Sequence, residues 1–225
     1  MSPLSIIVPT LNEAAAVGAM LAALQPLRAA GYELIVVDGG SVDGTQQQVA
    51  AHVDLVLQAP RGRARQMNAG ARAAQGAVLW FLHADTLPPP QAGKLILEGL
   101  MRSGRDWGRF DVRLSGAHTL LRVVERLMNL RSRITGIATG DQGMFVRREV
   151  FERLGGFPDI ELMEDIALSR ALNRLGPPLC LDTPLQSSSR RWEQGGIVRT
   201  ILLMWSLRLA YALGVSPARL MRWYR

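Results

Sequence analysis

The chain has 225 residues and a formal net charge of +7, with 48% hydrophobic and 20% charged residues. This length suits one large α/β domain with a sizeable core, and the composition excludes a disordered chain. The single cysteine, Cys180, cannot form an internal disulfide. The N-terminus lacks the basic and apolar regions of a signal peptide, so both features predict a cytoplasmic protein.

Positive charge is concentrated towards the C-terminus. Residues 1–60 contain one arginine, Arg28, against five acidic residues, whereas residues 190–225 contain seven arginines against Glu193 alone. Guanidinium groups bind oxyanions in a bidentate fork, so this placement suits phosphate or an anionic surface. A general bias towards arginine over lysine would explain the abundance of arginine but not where it lies.

Four apolar segments alternate with helical ones over the first 90 residues. LSIIVPTLNE, YELIVVDGGSVDGT, DLVLQA and AVLWFLHAD are predicted as strands. Helices are predicted in EAAAVGAMLAALQPLRAAG, in TQQQVAAHV, and after a basic loop in RGRARQMNAGARAAQG. Strands that are apolar throughout and alternate with helices indicate an α/β three-layer sandwich with a mostly parallel central sheet and a Rossmann-like N-terminal half.

The pattern changes after about residue 91. QAGKLILEGLMRSG is predicted as a helix and DWGRFDVRLS as a strand. An amphipathic helix follows in HTLLRVVERLMNLRSRITG, with Leu120, Val124, Leu127 and Met128 on one face. TGDQGMFVRREVFERLGGFP then predicts a loop, a short strand and a helix, and a last helix, MEDIALSRALNRLG, begins at its acidic pair.

Polar groups follow several of the predicted strands. Ligands of open α/β sheets bind beyond the carboxyl ends of the strands. The residues at those ends are Thr10, Leu11, Asn12 and Glu13, then Asp38, then His83, Ala84 and Asp85, and the loop after the third strand carries Arg61, Arg63 and Arg65. Their convergence predicts a site in which carboxylates and guanidiniums face each other, as a metal-bound phosphate requires.

Each of these motifs also has a plainer interpretation. Asp38 lies in a glycine-rich turn where Ser41 or Asp43 can cap the next helix, although its strand-end position favours ligand contact. The basic loop is either a solvated surface or a phosphate contact. Nucleic acid is disfavoured because no aromatic residues alternate with the basic ones.

Two acidic motifs are candidates for metal binding and for proton transfer. His83 and Asp85 point the same way if the strand extends through them, and they suit Mg²⁺ or Mn²⁺, which complete their ligands with water and substrate phosphates. The alternative is an ordinary strand-end aspartate. Glu164 and Asp165 are either favourable charges at a helix N-terminus or a general base for an acceptor hydroxyl.

The C-terminal segments leave two questions open. SSSRRWEQGG is either a mobile basic loop or a flexible element whose arginine closes over a leaving diphosphate. GIVRTILLMWSLRLAYALGVSPARLMRWYR is interrupted by Arg199 and Arg208 and falls short of the ~20 apolar residues that a membrane-spanning helix needs. It packs on the domain or lies in a membrane interface.

Six motifs in order resemble the family-2 glycosyltransferases of the A-type nucleotide-diphospho-sugar fold. They are SIIVPTLNE, VVDGGSVDGT, NAGARAAQGAVLWFLHADT, GDQGMFVRREVFERLGGFP, EDIALSRAL and RRW. The resemblance covers residues 5 to about 193. It implies inverting transfer of a sugar from a nucleotide-diphosphate donor, UDP- or GDP-linked, to a hydroxyl or carboxyl acceptor, with Mg²⁺ or Mn²⁺.

The resemblance also implies roles for individual residues. Asp165 matches the catalytic base, and Asp85 matches the metal ligand of a motif that is usually Asp-x-Asp, so His83 is a departure from the pattern and a possible second ligand. Donor contacts are implied at Pro9, Asn12, Glu13, Asp38, Arg61, Arg63, Arg65, Asn68, His83, Ala84, Asp85, Arg191 and Trp192. Acceptor-side positions are Gly140, Asp141, Gln142 and Glu164.

Residues 1–193 are accordingly expected to form the catalytic domain, with a nucleotide-binding half, 1–90, and an acceptor half, 91–193. Residues 194–225 form a helical basic tail that can contact a membrane peripherally. The His-Ala-Asp variant and TGDQG resemble a bacterial subgroup often labelled arsenosugar-biosynthesis or carotenoid-acid glycosyltransferases, which hints at a lipid-like acceptor. The alternatives are a sugar-nucleotide nucleotidyltransferase and a nonenzymatic membrane- or nucleic-acid-binding module.

Overall fold

The computed structural model describes residues 2–224 and contains a central sheet with helices on both faces. The strands are β1 (Leu4–Thr10), β2 (Glu33–Asp38), β3 (Leu55–Gln58), β4 (Val78–Phe81), β5 (Thr86–Leu87), β6 (Trp107–Leu114), β7 (Phe145–Arg147) and β8 (Leu179–Ser187). The helices are α1 (Ala14–Ala29), α2 (Thr45–Val49), α3 (Arg63–Ala73), α4 (Ala92–Ser103), α5 (Thr119–Thr135), α6 (Arg148–Arg153), α7 (Glu164–Asn173), α8 (Arg190–Gly195), α9 (Ile197–Ala212) and α10 (Pro217–Tyr224).

The sheet has the order β3-β2-β1-β4-β7-β6-β8-β5. The strands β3, β2, β1 and β4 are mutually parallel, and β6 and β8 form a second parallel pair. The short strand β7 joins the two groups through antiparallel pairing with β4 and β6, and β5 pairs antiparallel with β8. The predicted α/β class is confirmed, and the carboxyl ends of β1, β2 and β4 lie along one edge.

Alternate residues of the strands enter two separate cores. Ile6 and Val36 face the core under α1 and α4, whereas Ile7, Ile35 and Val37 face the core under α3, α6 and α7. All of these side chains are fully buried. Strands buried on both faces need apolar residues at every position, which is why they read as continuous apolar runs in the sequence.

Several predicted boundaries shift in the structure. Helix α2 ends at Val49 rather than continuing to Val53. The basic segment is helical from Arg63 onwards, since Gly62 adopts φ +139° and begins α3 there, so Arg63 and Arg65 lie on the first helical turn and not in a loop. The chain after β4 leaves the sheet at Phe81, before the His-Ala-Asp motif.

Two of the four residues predicted to form the buried face of α5 are buried in the structure. Leu121, Val124 and Met128 are buried against β6, but Leu120 and Leu127 are 41% and 51% exposed. The helix therefore has two apolar stripes, one facing the sheet and one open to solvent. The open stripe contains Leu120, Val123, Leu127, Leu130 and Ile134.

The C-terminal helices pack on the domain. A cluster of Leu162, Met163 and Ile166, around the start of α7, encloses Leu207 of α9 and Leu220 of α10. This packing brings α10 to the cleft edge of the sheet, close to α8. Between residues 2 and 224, each helix is too short or too polar to cross a bilayer.

Candidate active site

A cleft lies beyond the carboxyl ends of β1 and β4. It consists of two adjoining cavities of about 380 and 280 Å³. Both cavities are lined by Glu13, Arg63, His83, Asp85, Glu164 and Tyr224. The strand-end position predicted for a ligand site therefore holds a concave site with carboxylates and a guanidinium on facing walls.

The His-Ala-Asp motif lies in the turn after β4. The Leu82 amide still donates to the carbonyl of Ile7 at 3.0 Å, and the chain then turns, yet His83 and Asp85 both reach the cleft. Nδ1 of His83 is 3.5 Å from Oδ1 of Asp141. The Cε1–Nε2 edge of the ring lies against Gly140, where an added Cβ would be 2.2 Å from both atoms, so any other residue there would have to displace the ring.

Glu13 and Asp85 form an acidic pair in the cleft. Burial and the negative charge of Asp85 raise the pKa of Glu13, and the guanidinium of Arg190 partly opposes this shift from 3.6 Å. Two nearby carboxylates repel each other unless a cation lies between them. Carboxylate oxygens with adjoining space for water and phosphate oxygens form a donor set that fits Mg²⁺ or Mn²⁺. Among residues 2–224, no cluster of three or more His, Cys, Asp or Glu side chains forms a closed metal cage.

A second acidic pair stands at the start of α7. The amides of Gly140 and Ile166 donate to the two carboxylate oxygens of Asp165 at 2.9 and 2.7 Å, which fixes its orientation. Burial and the charge of Asp165 raise the pKa of Glu164 to about 7. Met163 precedes the pair with φ +72°, an uncommon conformation for a residue with a side chain, and this backbone turn directs both carboxylates into the cleft.

The remaining charges of the cleft are balanced around Asp141 and Arg63. Burial alone would raise the pKa of Asp141, but a hydrogen bond and positive charge from His83, together with Arg63 and Arg208, hold it below its usual value. Burial likewise opposes ionisation of Arg63, but the acidic groups that face it, Tyr224 and Glu164 among them, raise its pKa. Arg63 therefore stays charged in the cleft.

The RRW segment forms α8 and covers one wall of the cleft. Arg190, Arg191 and Trp192 all line the larger cavity. The guanidinium of Arg191 lies 3.7 Å from the centre of the Tyr224 ring and donates hydrogen bonds to its hydroxyl and backbone carbonyl. The C-terminal helix thus holds a predicted donor-site arginine in place.

Other predicted residues line the cleft as well. Pro9, Arg61 and Ala84 line the smaller cavity, and Gly140 and Asp141 line the larger one. These residues come from separate segments of the chain, and the fold brings them to one site.

Asp38 and Asn12 lie behind the cleft wall instead of lining it. Asp38 is fully buried and accepts five hydrogen bonds, from the hydroxyl of Thr10, the backbone amides of Gly40 and Ser41, the hydroxyl of Ser41 and the side-chain amide of Gln46. These bonds lower its pKa against the effect of burial. Asn12 adopts φ +54° and accepts a hydrogen bond from the amide of Val42 at 3.0 Å. Direct donor contact at these two positions stays a prediction.

Three further predicted residues are engaged elsewhere. Arg65 forms an exposed ion pair with Asp159 at 2.8 Å. Asn68 bonds both the amide and the carbonyl of Phe157, which closes the turn ahead of α7. Gln142 is buried and caps the short 3₁₀ helix at residues 140–142. Ligand roles for these residues also stay predictions.

Four residues that line the larger cavity were not predicted as cleft residues: Thr139, Met204, Arg208 and Tyr224. Arg208 was visible as a charge that interrupts the apolar tail. Tyr224 had no local signal, since its position depends on how α9 and α10 fold back onto α7.

Residues 5–155 match the family model described as glycosyl transferase family 2. Two curated relatives are also similar. Glycosyltransferase AglE of Haloferax volcanii is 28% identical over 170 residues, covering 69% of this chain and 56% of its own. Probable glycosyltransferase YdaM of Bacillus subtilis is 28% identical over 200 residues, covering 76% of this chain and 47% of its own. The chain spans about half the length of these relatives.

Two solved structures share the fold. TarS of S. aureus, residues 1–349, superposes with a TM-score of 0.69 at 19% identity, covering 84% of this chain and 61% of that one. The mannosyltransferase PcManGT from Pyrobaculum calidifontis, in complex with GDP-Man and Mn²⁺, superposes with a TM-score of 0.67 at 22% identity, covering 99% and 68%. TarS has also been solved in complex with UDP-GlcNAc.

Proposed function

Because this chain belongs to glycosyltransferase family 2, we propose that it transfers a sugar, with inversion, from a UDP- or GDP-sugar to an acceptor. The observation that carries the proposal is the meeting of Asp85, Asp165 and Arg63 in one cleft. Sugar transfer needs positive charge for the leaving diphosphate and a base for the attacking hydroxyl, both close to the anomeric carbon of the sugar. Family membership disfavours both alternatives, the nucleotidyltransferase and the nonenzymatic module.

We assign the donor diphosphate to the arginines of the cleft and to a metal ion held by the acidic pair Glu13 and Asp85. Arg63 lies between the two cavities, and Arg190 and Arg191 stand on the opposite wall. Guanidiniums bind phosphate oxygens in a bidentate fork and neutralise the charge that develops on a leaving diphosphate. The nucleoside is assigned to the smaller cavity, beside Pro9 and Arg61.

Asp85 is the residue best placed to hold a divalent metal ion, with Glu13 beside it. His83 is a weaker candidate, because Asp141 and Gly140 already occupy the two sides of its ring. When bound, Mg²⁺ or Mn²⁺ supplies positive charge to the diphosphate oxygens.

Asp165 is proposed as the general base. Its carboxylate is oriented by two backbone amides and keeps free lone pairs towards the cleft. The acceptor oxygen attacks the anomeric carbon while its proton passes to Asp165. The bond from that carbon to the diphosphate oxygen breaks, and its electron pair leaves with the nucleoside diphosphate. General-base catalysis contributes ~10²–10⁴-fold to such a step.

Peripheral membrane contact is proposed for the surface formed by α5 and α9. Trp205 of α9 lines a groove together with Leu120, Val123 and Leu127 of the open stripe, and α9 carries three more exposed apolar residues, Val198, Leu202 and Leu209. Arg126 and Arg133 on α5 and Arg199 on α9 are also exposed. Apolar and aromatic side chains bordered by arginines are typical of helices that lie in an anionic membrane interface.

The test is a panel of UDP- and GDP-sugars with Mn²⁺, monitored for donor binding and slow donor hydrolysis. Asp165→Asn is expected to keep donor binding and lose transfer by at least ~10²-fold, and Asp85→Ala to lose metal-dependent donor binding. Glu149→Gln, exposed on α6 and outside both cavities, is the matched control. Full turnover in Asp165→Asn would refute the base assignment, and failure of every sugar nucleotide to bind would refute the function.

A further inference from the structure

An apolar groove opens between α5 and α9 and leads to the cleft. Its volume is about 350 Å³. Asp141, Trp192, Met204 and Arg208 line both this groove and the larger cavity of the cleft, so the two spaces adjoin. The rest of the groove is lined by apolar side chains: Leu120, Val123, Val124, Leu127, Met128, Ile201 and Trp205.

Two arginines lie at the inner end of this groove. Arg131 of α5 and Arg208 of α9 both line it. Nε and Nη2 of Arg131 are buried without a hydrogen-bond partner, and neither arginine has an ion pair within 4.0 Å among the described residues. Burial lowers the pKa of both side chains, and the positive charge of Arg208 lowers that of Arg131 further, to about 10. The carboxylate of Asp165 acts on both arginines in the opposite direction without cancelling the shift, and that of Asp141 does so on Arg208.

This arrangement is costly in the free protein. An unpaired buried charge is expensive, and two like charges side by side add to the cost. An oxyanion placed between the two guanidiniums would satisfy the orphaned donors and remove the repulsion. The rest of the groove offers apolar surface, which water solvates poorly and a hydrocarbon chain covers well.

We propose that the acceptor is a single-chain amphiphile, with its hydrocarbon chain in the α5–α9 groove and an oxyanion of its head group on Arg131 and Arg208. The proposal rests on the proposed function, because it supplies the acceptor of that reaction. The groove meets the cleft beside Asp141, and Asp165 lines the adjoining cavity. Asp165 acts electrostatically on both arginines, so a hydroxyl next to the anionic group would lie on the side of the general base.

The charge complementarity favours this occupant over a neutral lipid or a second protein. A neutral chain would leave Arg131 unpaired, and a protein segment would have to bring both an acidic side chain and an extended apolar one into a groove of this size. The expected head group is an oxyanion beside a hydroxyl. The oxyanion is either the carboxylate of a hydroxy fatty acid or the phosphate of a lysophospholipid, and these two head groups differ in size and charge.

Binding is tested by calorimetry on the full chain without donor, below the critical micelle concentration. The probes are 3-hydroxytetradecanoate, its methyl ester, and a lysophosphatidic acid of the same chain length. The carboxylate or the phosphate is expected to bind at least about tenfold more tightly than the ester, since hydrogen bonds to a charged group are stronger than those to a neutral one. Whichever anion binds more tightly identifies the source.

Two pairs of variants locate the site. Arg131→Met should remove the preference for the anion and leave ester binding unchanged, whereas Arg133→Met, on the same helix but paired with Asp111, should change neither. Leu127→Glu should abolish binding of all probes, and Ile134→Glu, equally apolar in the wild type but outside the groove, should not.

Equal binding of acid and ester, or anion preference retained in Arg131→Met, overturns the head-group assignment. Absence of probe binding, or binding that survives Leu127→Glu, overturns the groove. These outcomes are separate from the proposed function, because sugar-nucleotide binding is measured independently. A chain that binds the amphiphile but no sugar nucleotide would refute the transferase and keep the groove, and the reverse result would refute the groove alone.

Discussion

Two walls next to the cleft satisfy their charged groups in opposite ways. In the wall after β1 and β2, behind the cleft lining, Asp38 is enclosed and accepts five hydrogen bonds, from β1, from its own loop and from α2. In the wall of the groove between α5 and α9, Arg131 is half-buried with two nitrogen atoms unpartnered. Asp38 has its partners without a ligand, whereas Arg131 gains them from one.

This difference matches the two substrates of a glycosyltransferase, since the nucleotide part of the donor varies little and the acceptor varies widely. A nucleotide diphosphate has the same phosphates and ribose whatever sugar it carries, so a preformed wall serves it well. Acceptors differ in shape and charge, and an open wall with unpaired donors is suited to select among them. Asp38→Ala and Arg131→Met test the two sides of that contrast, and Glu164→Gln and Tyr224→Leu test the cleft itself.

Asp38→Ala is expected to have the largest effect. The substitution removes a buried charge and leaves several donors of the loop without an acceptor, so the free energy of unfolding should fall by about 4 kcal/mol. Urea denaturation measures this loss. Asp43→Ala, in the same loop but exposed, removes acceptors for Ala14 and Thr45 and should cost clearly less. Comparable losses in the two variants would contradict a preformed wall centred on Asp38.

Glu164→Gln tests the acidic pair at the start of α7. The pKa of Glu164 is about 7 in the folded protein against an ordinary value of 4.5, so between these values the folded state retains a proton that the unfolded chain has released. Stability therefore falls as the pH rises from 4.5 to 7 and then levels off. At pH 8, Glu164→Gln should be more stable than the wild type by up to about 3 kcal/mol.

The measurement is the melting temperature of the metal-free protein in EDTA from pH 4 to 8. The stabilisation by Glu164→Gln should be small at pH 4, where the wild-type carboxyl is mostly protonated in both states. Glu161→Gln, exposed and three residues away, should follow the wild-type profile. A constant difference between Glu164→Gln and wild type at all pH values would show that the carboxylate carries no burial cost.

Arg131→Met tests the open wall through stability rather than binding. Replacing an unpartnered, partly buried guanidinium by an apolar side chain of similar length removes a desolvation cost, so the free energy of unfolding should rise by about 1 kcal/mol. Arg133→Met removes an ion pair with Asp111 and should leave stability unchanged or slightly lower. A loss of stability in Arg131→Met would indicate that the side chain is satisfied within the fold.

Sequence patterns recovered the sheet and most of the cleft because these depend on local signals. The continuous apolar runs of β1 and β2 predict strands buried on both faces, and strand ends place Glu13, Arg63 and Asp85 together. The exposed apolar stripe of α5 was not predicted, because the spacing of apolar residues shows which positions are apolar but not which of them pack against the sheet. Tyr224 was missed because its place depends on contacts between segments far apart in the chain.

Tyr224→Leu should have the smallest effect on stability and still change donor binding. The ring stacks under Arg191, a contact worth ~0.5–1 kcal/mol at a largely exposed site, so the loss of stability should stay below about 1 kcal/mol. Arg191 then loses its fixed position over the cleft, and the dissociation constant for the nucleotide sugar should rise severalfold. Trp223→Leu is the matched control, because Trp223 is 55% exposed and lies outside both cleft cavities. If Tyr224→Leu binds donor like the wild type, Tyr224 covers the cleft without fixing Arg191 for donor binding, and α10 has no part in preparing the donor site.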